Sequence, residues 1–184
     1  MAVDTPVCNF GWPAVEFELA DSAGRRFSLA DVRGANGTLI MFICNHCPYV
    51  RAVADRLAED AKELQRRGIG VIAIMSNDYR RYPEDAPDKM VTFARQHGFS
   101  FPYVVDETQE VARAYGAVCT PDFFGFNASL QLQYRGRLDA SGMQFKPEAR
   151  RELLEAMIQV AETGEGPRAQ IASIGCSIKW RDDA

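Results

Sequence analysis

The apolar positions change period several times along the chain, and each change marks an element. Val15, Phe17 and Leu19, then Phe27 and Leu29, alternate on either side of Asp21-Ser22-Ala23-Gly24. A period of two around a short turn predicts a β-hairpin near the N-terminus. After a Gly-containing breaker at 34–37, the run 39–43 is apolar at every position, as in a strand covered on both faces. Val50, Val53, Leu57, Ala61 and Leu64 then recur at steps of three and four, and Arg66, Arg67 and Gly68 close the pattern, predicting a helix and its stop. A second buried strand over 69–75, interrupted only by Gly70, completes a strand-helix-strand crossover. Such a unit implies parallel strands and a right-handed connection.

Segment 76–87, SNDYRRYPEDAP, is rich in turn formers and charges. It is placed over the carboxyl end of the sheet, with an ordinary surface loop as the alternative. Pro87 opens a helix with Met90, Phe93 and Ala94 on one face, stopped at Gly98, and His97 fits its negative end. A short strand at 103–105 and a helix over 108–115, ended by Gly116, come next. From Pro121 two extended segments flank Asn127-Ala128-Ser129, an antiparallel hairpin whose Phe123, Phe124 and Phe126 read as core. Pro147 is expected to open a last helix that buries Leu153, Leu154, Met157, Ile158 and Ala161 and ends at Gly164. Trp12 and Trp180 read as packing at the ends of the domain. The tail from Glu165 onward has mixed polarity and no assignable period.

A length of 184 residues fits one domain, with a core over about 13–163 and a C-terminal tail at 164–184. The apolar fraction of 47% and charged fraction of 25% are those of a globular protein. A net charge of -4 with interspersed signs supports neither nucleic acid nor a membrane surface as a partner. No basic leader with an apolar stretch is visible, and no run approaches the roughly 18 apolar residues of a membrane span. The expected location is therefore cytoplasmic. In a reducing compartment the five cysteines, Cys8, Cys44, Cys47, Cys119 and Cys176, are better suited to redox or metal chemistry than to structural disulfides.

Candidate chemistry concentrates at 38–50, TLIMFICNHCPYV, where an apolar strand ends in two cysteines, a histidine and a proline. Proline favours the first helical position, which makes Cys47 the N-cap. A sulfur there faces unpaired N–H groups and the positive end of the helix dipole, and both stabilise a thiolate. A protonated His46 would add to that effect. Cys47 is thus the expected nucleophile. Cys44, three residues earlier, is the expected resolving partner, against the alternative of a small apolar residue closing the strand. Cys119-Thr120-Pro121 lies between a helix end and a strand start, where a cis X-Pro bond is expected. Cys8 reads as incidental. Cys176 reads as buried packing, with resolution of Cys47 within or between subunits as the alternative.

Hairpin, strand, cysteine motif at a helix start, strand, helix, Thr-Pro, hairpin and final helix together resemble the thioredoxin fold. More narrowly, FxCNHCP, TPDFF and the terminal GCSIKW are similar to the alkyl hydroperoxide reductase and thiol-specific antioxidant (peroxiredoxin-like) family. That resemblance implies an α/β fold, a central mixed sheet flanked by helices with an N-terminal β-hairpin extension. It implies that Cys47, five residues after Phe42, is the attacking cysteine, that Thr120-Pro121 faces it, and that Cys119 comes near as well. The chain departs from the family at two points. A thioredoxin would carry its second cysteine at Val50, and a peroxiredoxin would carry proline and threonine where Ile40 and Cys44 stand. No catalytic arginine is assigned, Arg135 and Arg137 included.

The implied activity is that of a thiol-disulfide oxidoreductase or thiol-dependent antioxidant without a cofactor. Its partners would be a thiol reductant such as thioredoxin and a protein disulfide or hydroperoxide, and it would act as a monomer or homodimer. Two readings compete. Cys44, His46, Cys47 and Cys119 form a soft-ligand set for Cu(I) or zinc, and an interaction module with inert thiols would instead show an ordinary cysteine pKa.

Overall fold

The computed structural model describes residues 1–182. Its strands are β1 (Ala2–Asp4), β2 (Glu18–Asp21), β3 (Arg26–Ser28), β4 (Gly37–Phe42), β5 (Ile69–Met75), β6 (Tyr103–Val105), β7 (Cys119–Thr120), β8 (Asp122–Phe126), β9 (Leu132–Tyr134) and β10 (Ile174–Ser177). The helices are α1 (Leu29–Val32), α2 (Pro48–Arg66), α3 (Pro87–His97), α4 (Glu110–Tyr115) and α5 (Glu152–Thr163).

Seven strands form one mixed sheet in the order β3-β2-β6-β5-β4-β8-β9. β4 runs parallel to β5, β5 runs parallel to β6, and β8 closes on β4 antiparallel. Because β4 is central and covered on both sides, every one of its residues is buried. Its side chains still alternate between two cores. Leu39 and Met41 join α2, α3 and α5 through Leu57, Phe93 and Met157. Ile40 and Phe42 join Leu29, Val32, Ala112 and Tyr115 of α1 and α4 on the opposite face. Gly70, the one interruption in β5, is required there: a Cβ would stand 1.8 Å from the Val32 carbonyl oxygen.

The N-terminal hairpin forms around a turn in which the Asp21 carboxylate accepts the Ala23 and Arg25 N–H groups, each at 2.9 Å. Its strands are shorter than the alternation suggests, since Val15 and Phe17 precede β2 and Leu29 starts α1. Ser28 ends the strand by capping α1 with Asp31 in a reciprocal capping box. The hairpin lies in the central sheet, because β2 pairs with β6.

The last helix starts at Glu152, not at Pro147. Around Pro147 the chain turns, Ser141 exchanging hydrogen bonds with the Lys146 backbone. Arg151, at the helix start, reaches the buried Asp60 of α2. Ala156 and Val160 are buried with Leu153, Leu154 and Met157, while Ile158 and Ala161 are only partly so. Trp12 packs edge-on to Tyr115 at 5.6 Å, and Trp180 lies 4.4 Å beneath the Arg113 guanidinium. His97 ends α3, with Nδ1 2.6 Å from Asp55 Oδ1 of α2.

The tail contributes an element that its sequence did not announce. β10 sits between β1 and β7 in a small antiparallel sheet, pairing Cys176 with Ala2 on one side and with Thr120 on the other.

Candidate active site

Cys47 caps α2 with extended backbone, Pro48 takes the first helical position, and the Arg51 N–H closes the first turn on the Cys47 carbonyl at 2.9 Å. β4 delivers the strand end, and the Ile43 N–H still bonds Ile74 at 3.0 Å, so the chain is held until it reaches Cys44. The cysteines are therefore placed by a buried strand behind them and a helix ahead of them. Cys44 and Cys47 are both 0% exposed.

Thr120 joins the two sulfurs. Its hydroxyl lies 3.4 Å from Cys44 Sγ, and its carbonyl oxygen lies 3.2 Å from Cys47 Sγ, accepting from it only when the thiol is protonated. The Thr120-Pro121 peptide is cis, as expected for this loop. The loop is braced by Asp122, whose carboxylate takes two hydrogen bonds from Arg135, at 3.2 and 2.9 Å, and one from the Val118 N–H at 3.2 Å. Arg135 also stacks over Phe124 at 4.4 Å. Arg137 pairs with Glu152 at 2.8 Å, so both arginines are committed to carboxylates.

The Cys47 thiol is lowered from 9.0 to about 4. The Cys44 thiol acting as donor is the main cause; Thr120, Cys176 and the Val50 N–H add to it, and together they outweigh burial. Cys44 moves the opposite way, because it donates to Cys47, is buried, and feels the Asp85 charge. One sulfur of the pair is thus anionic and the other holds its proton. Cys119 is raised by burial, and its sulfur points to the Pro121 carbonyl at 3.6 Å. Of the sulfurs outside the motif, that of Cys176 bonds Cys47, and that of Cys119 feels its charge.

Asp85 belongs to a 3-10 turn (Pro83–Asp85) in the segment after β5, and it meets Asn45 and Asn77 just past the carboxyl ends of β4 and β5. Its buried carboxylate accepts the Asn45 N–H at 2.8 Å, the His46 N–H at 3.2 Å and the Asn77 amide at 2.9 Å, and it sits 2.6 Å from His46 Nδ1. Burial alone would raise this acid, but His46 and Asn77 hold it below its ordinary value. His46 is raised chiefly by its bond to Asp85, with attraction to the Cys47 charge adding to this. That attraction also favours the thiolate, the direction expected from the sequence. The imidazole stacks on Tyr82 at 5.7 Å.

Of the four soft ligands considered from the sequence, only two belong to the group that converges. The ligand atoms of Cys44, His46 and Asp85 lie within 4.8 Å of one another; Cys47 and Cys119 are not in that group. Asp85, Asn77, Asn45 and Tyr103, whose hydroxyl bonds Asn45 at 2.8 Å, carried no spacing signal. The sole hint was the proline-rich, charged texture of 76–87.

The sequence model described as the AhpC/TSA family matches residues 10–138, more than half of the chain. The chain belongs to the AhpC/TSA family. It is accordingly an oxidoreductase acting on disulfides or peroxides, on a thioredoxin-type fold. A conserved protein of Geobacillus kaustophilus is 42% identical, with a TM-score of 0.93 over 100% of this chain and 98% of that one. The thiol-disulfide oxidoreductase ResA of Halalkalibacterium halodurans is 28% identical over 61% of this chain; the match spans 60% of that protein's length. Peroxidoxin BcpB of Mycobacterium tuberculosis, at 17% identity, 83% of this chain, 92% of that one and a TM-score of 0.58, shares the fold. Among the described residues no helix is long and apolar enough to cross a membrane.

Proposed function

We propose that this oxidoreductase reduces disulfides, with Cys47 as nucleophile and Cys44 as resolving thiol. The observation that carries the reading is the unequal pair: a thiolate at a helix start, held by a neutral thiol three residues before it. The Cys47 thiolate attacks one sulfur of the substrate disulfide, and the other sulfur leaves as a thiolate and takes a proton. Once Cys47 is in a mixed disulfide its charge is gone, and with it the main reason that Cys44 resists ionisation. Cys44 then attacks Cys47, the second substrate thiol leaves, and a Cys44–Cys47 disulfide remains. Thr120, within reach of both sulfurs, offers its hydroxyl to whichever carries charge.

Disulfide is favoured over peroxide because Cys44 stands where a peroxiredoxin carries the threonine whose hydroxyl helps hold the peroxide. Regeneration by a thiol reductant such as thioredoxin in the cytoplasm completes the cycle. The test is turnover of a model disulfide combined with mass mapping of the oxidised protein. Cys47→Ser abolishes both the disulfide and the activity. If both survive, the reading is wrong.

A further inference from the structure

In the reduced protein neither Cys44 nor Cys47 touches solvent, so a partner reaches the pair directly only when β10 moves aside, or indirectly through a sulfur nearer the surface. Attack on a disulfide is in-line and needs access to a sulfur. β10 lies over this site in a specific way. Gly175 packs so closely on the loop that a Cβ would stand 2.0 Å from the Thr120 carbonyl oxygen and 3.0 Å from Pro121 N. Only glycine permits that approach, and it sets the next residue, Cys176, opposite Thr120 in the ladder.

Cys176 packs against the core cluster that contains Cys44 and Cys47, yet it is only half-buried. The placement is reinforced on both sides. Ser173 Oγ donates to the Pro121 carbonyl at 2.8 Å, and the Ile178 N–H bonds Val118 at 3.2 Å. The Lys179 N–H bonds Asn77, whose amide holds Asp85.

We propose that Cys176 is a third redox thiol that carries the disulfide from the buried pair to the surface. Resting on the reading above, the exchange is balanced. Cys176 attacks the Cys47 sulfur of the Cys44–Cys47 bond, a Cys176–Cys47 bond forms, and Cys44 leaves, taking the proton that Cys176 gives up. An external dithiol then attacks the sulfur of the partly exposed Cys176 and expels Cys47. Of the two sulfurs in that bond, Cys47 is the better leaving group, having the lower pKa. The dithiol's second thiol closes its own disulfide, releasing Cys176, so two electrons enter and the enzyme returns to its reduced form.

The test oxidises wild type, Cys176→Ser, Cys176→Ala, Cys44→Ala and Cys47→Ser, traps free thiols in acid, maps the bonds, and follows reduction by thioredoxin. In Cys44→Ala, Cys47 is recovered bonded to Cys176. Both Cys176 variants still form the Cys44–Cys47 bond but are reduced at least about tenfold more slowly than wild type, because the remaining bond is shielded. The relay is overturned if Cys176 stays a free thiol in oxidised Cys44→Ala, or if both Cys176 variants are reduced at the wild-type rate. Persistence of the disulfide in Cys47→Ser overturns the underlying assignment instead, so the two failures are distinct. Cys176 is in the central strand of the small sheet, and the melting temperature of its variants, read alongside, shows that the comparison is between folded proteins.

Discussion

Replacing Cys44 by alanine tests the electrostatic asymmetry on which the chemistry depends. Its thiol is the largest contributor to the low pKa of Cys47. A hydrogen bond to a charged group is worth about 1.5–3 kcal/mol. At about 1.4 kcal/mol per pKa unit, its removal raises Cys47 by about 1–2 units. The thiolate's ultraviolet absorbance, titrated against Cys47→Ser as blank, reads this directly. Reduced wild type titrates with a midpoint near 4, and Cys44→Ala titrates above it.

Stability follows with a definite sign. The folded Cys47 pKa lies below its ordinary 9.0, so its contribution is fully present above about pH 9 and is lost as pH falls towards 4. Relative to Cys47→Ser, reduced wild type loses about 1.4 kcal/mol per pH unit across that window. Cys44, raised above 9.0, stays neutral there and opposes only at higher pH. A wild-type midpoint at the ordinary value of 9.0, or a midpoint unmoved in Cys44→Ala, refutes the reasoning.

Asp85→Ala leaves His46, two backbone N–H groups and the Asn77 amide without their acceptor and costs about 3 kcal/mol in denaturant titration. In the same variant the His46 titration, followed by NMR, falls towards about 6.5. The stability that His46 adds is present below its ordinary pKa and fades as pH rises through its raised one, so the deficit of Asp85→Ala is larger at mildly acidic than at alkaline pH. Arg135→Met strands the fully buried Asp122 and destabilises by about 3–5 kcal/mol, measured by thermal or chemical unfolding. Gly175→Ala drives a methyl into the Thr120 carbonyl, costs about 1–3 kcal/mol, and speeds alkylation of Cys47 by lifting β10 off the site.

The sequence by itself determined the strand-helix-strand unit, the placement of Cys47 at a helix start, and the loop at Thr120-Pro121. These depend on local rules: the apolar run of β4, proline's fixed φ and missing N–H, and the period of α2 act within a few residues of one another. It misplaced the start of α5, because Pro147 is an equally good turn former and tertiary pairing of Arg151 with Asp60 decided where the helix began. Which residues surround the sulfurs was decided only by the tertiary structure. Asp85 arrives from 39 positions beyond His46, and Cys176 is brought in by a ladder that pairs it with both Ala2 and Thr120. Nothing local marks such residues, because their partners are set by how the sheet and its rim close. The family resemblance also implied that Cys119 comes near Cys47; its sulfur lies 3.6 Å from the Pro121 carbonyl oxygen and is close enough to feel the Cys47 charge. Pairing across the sheet brings Cys176 to the site as well.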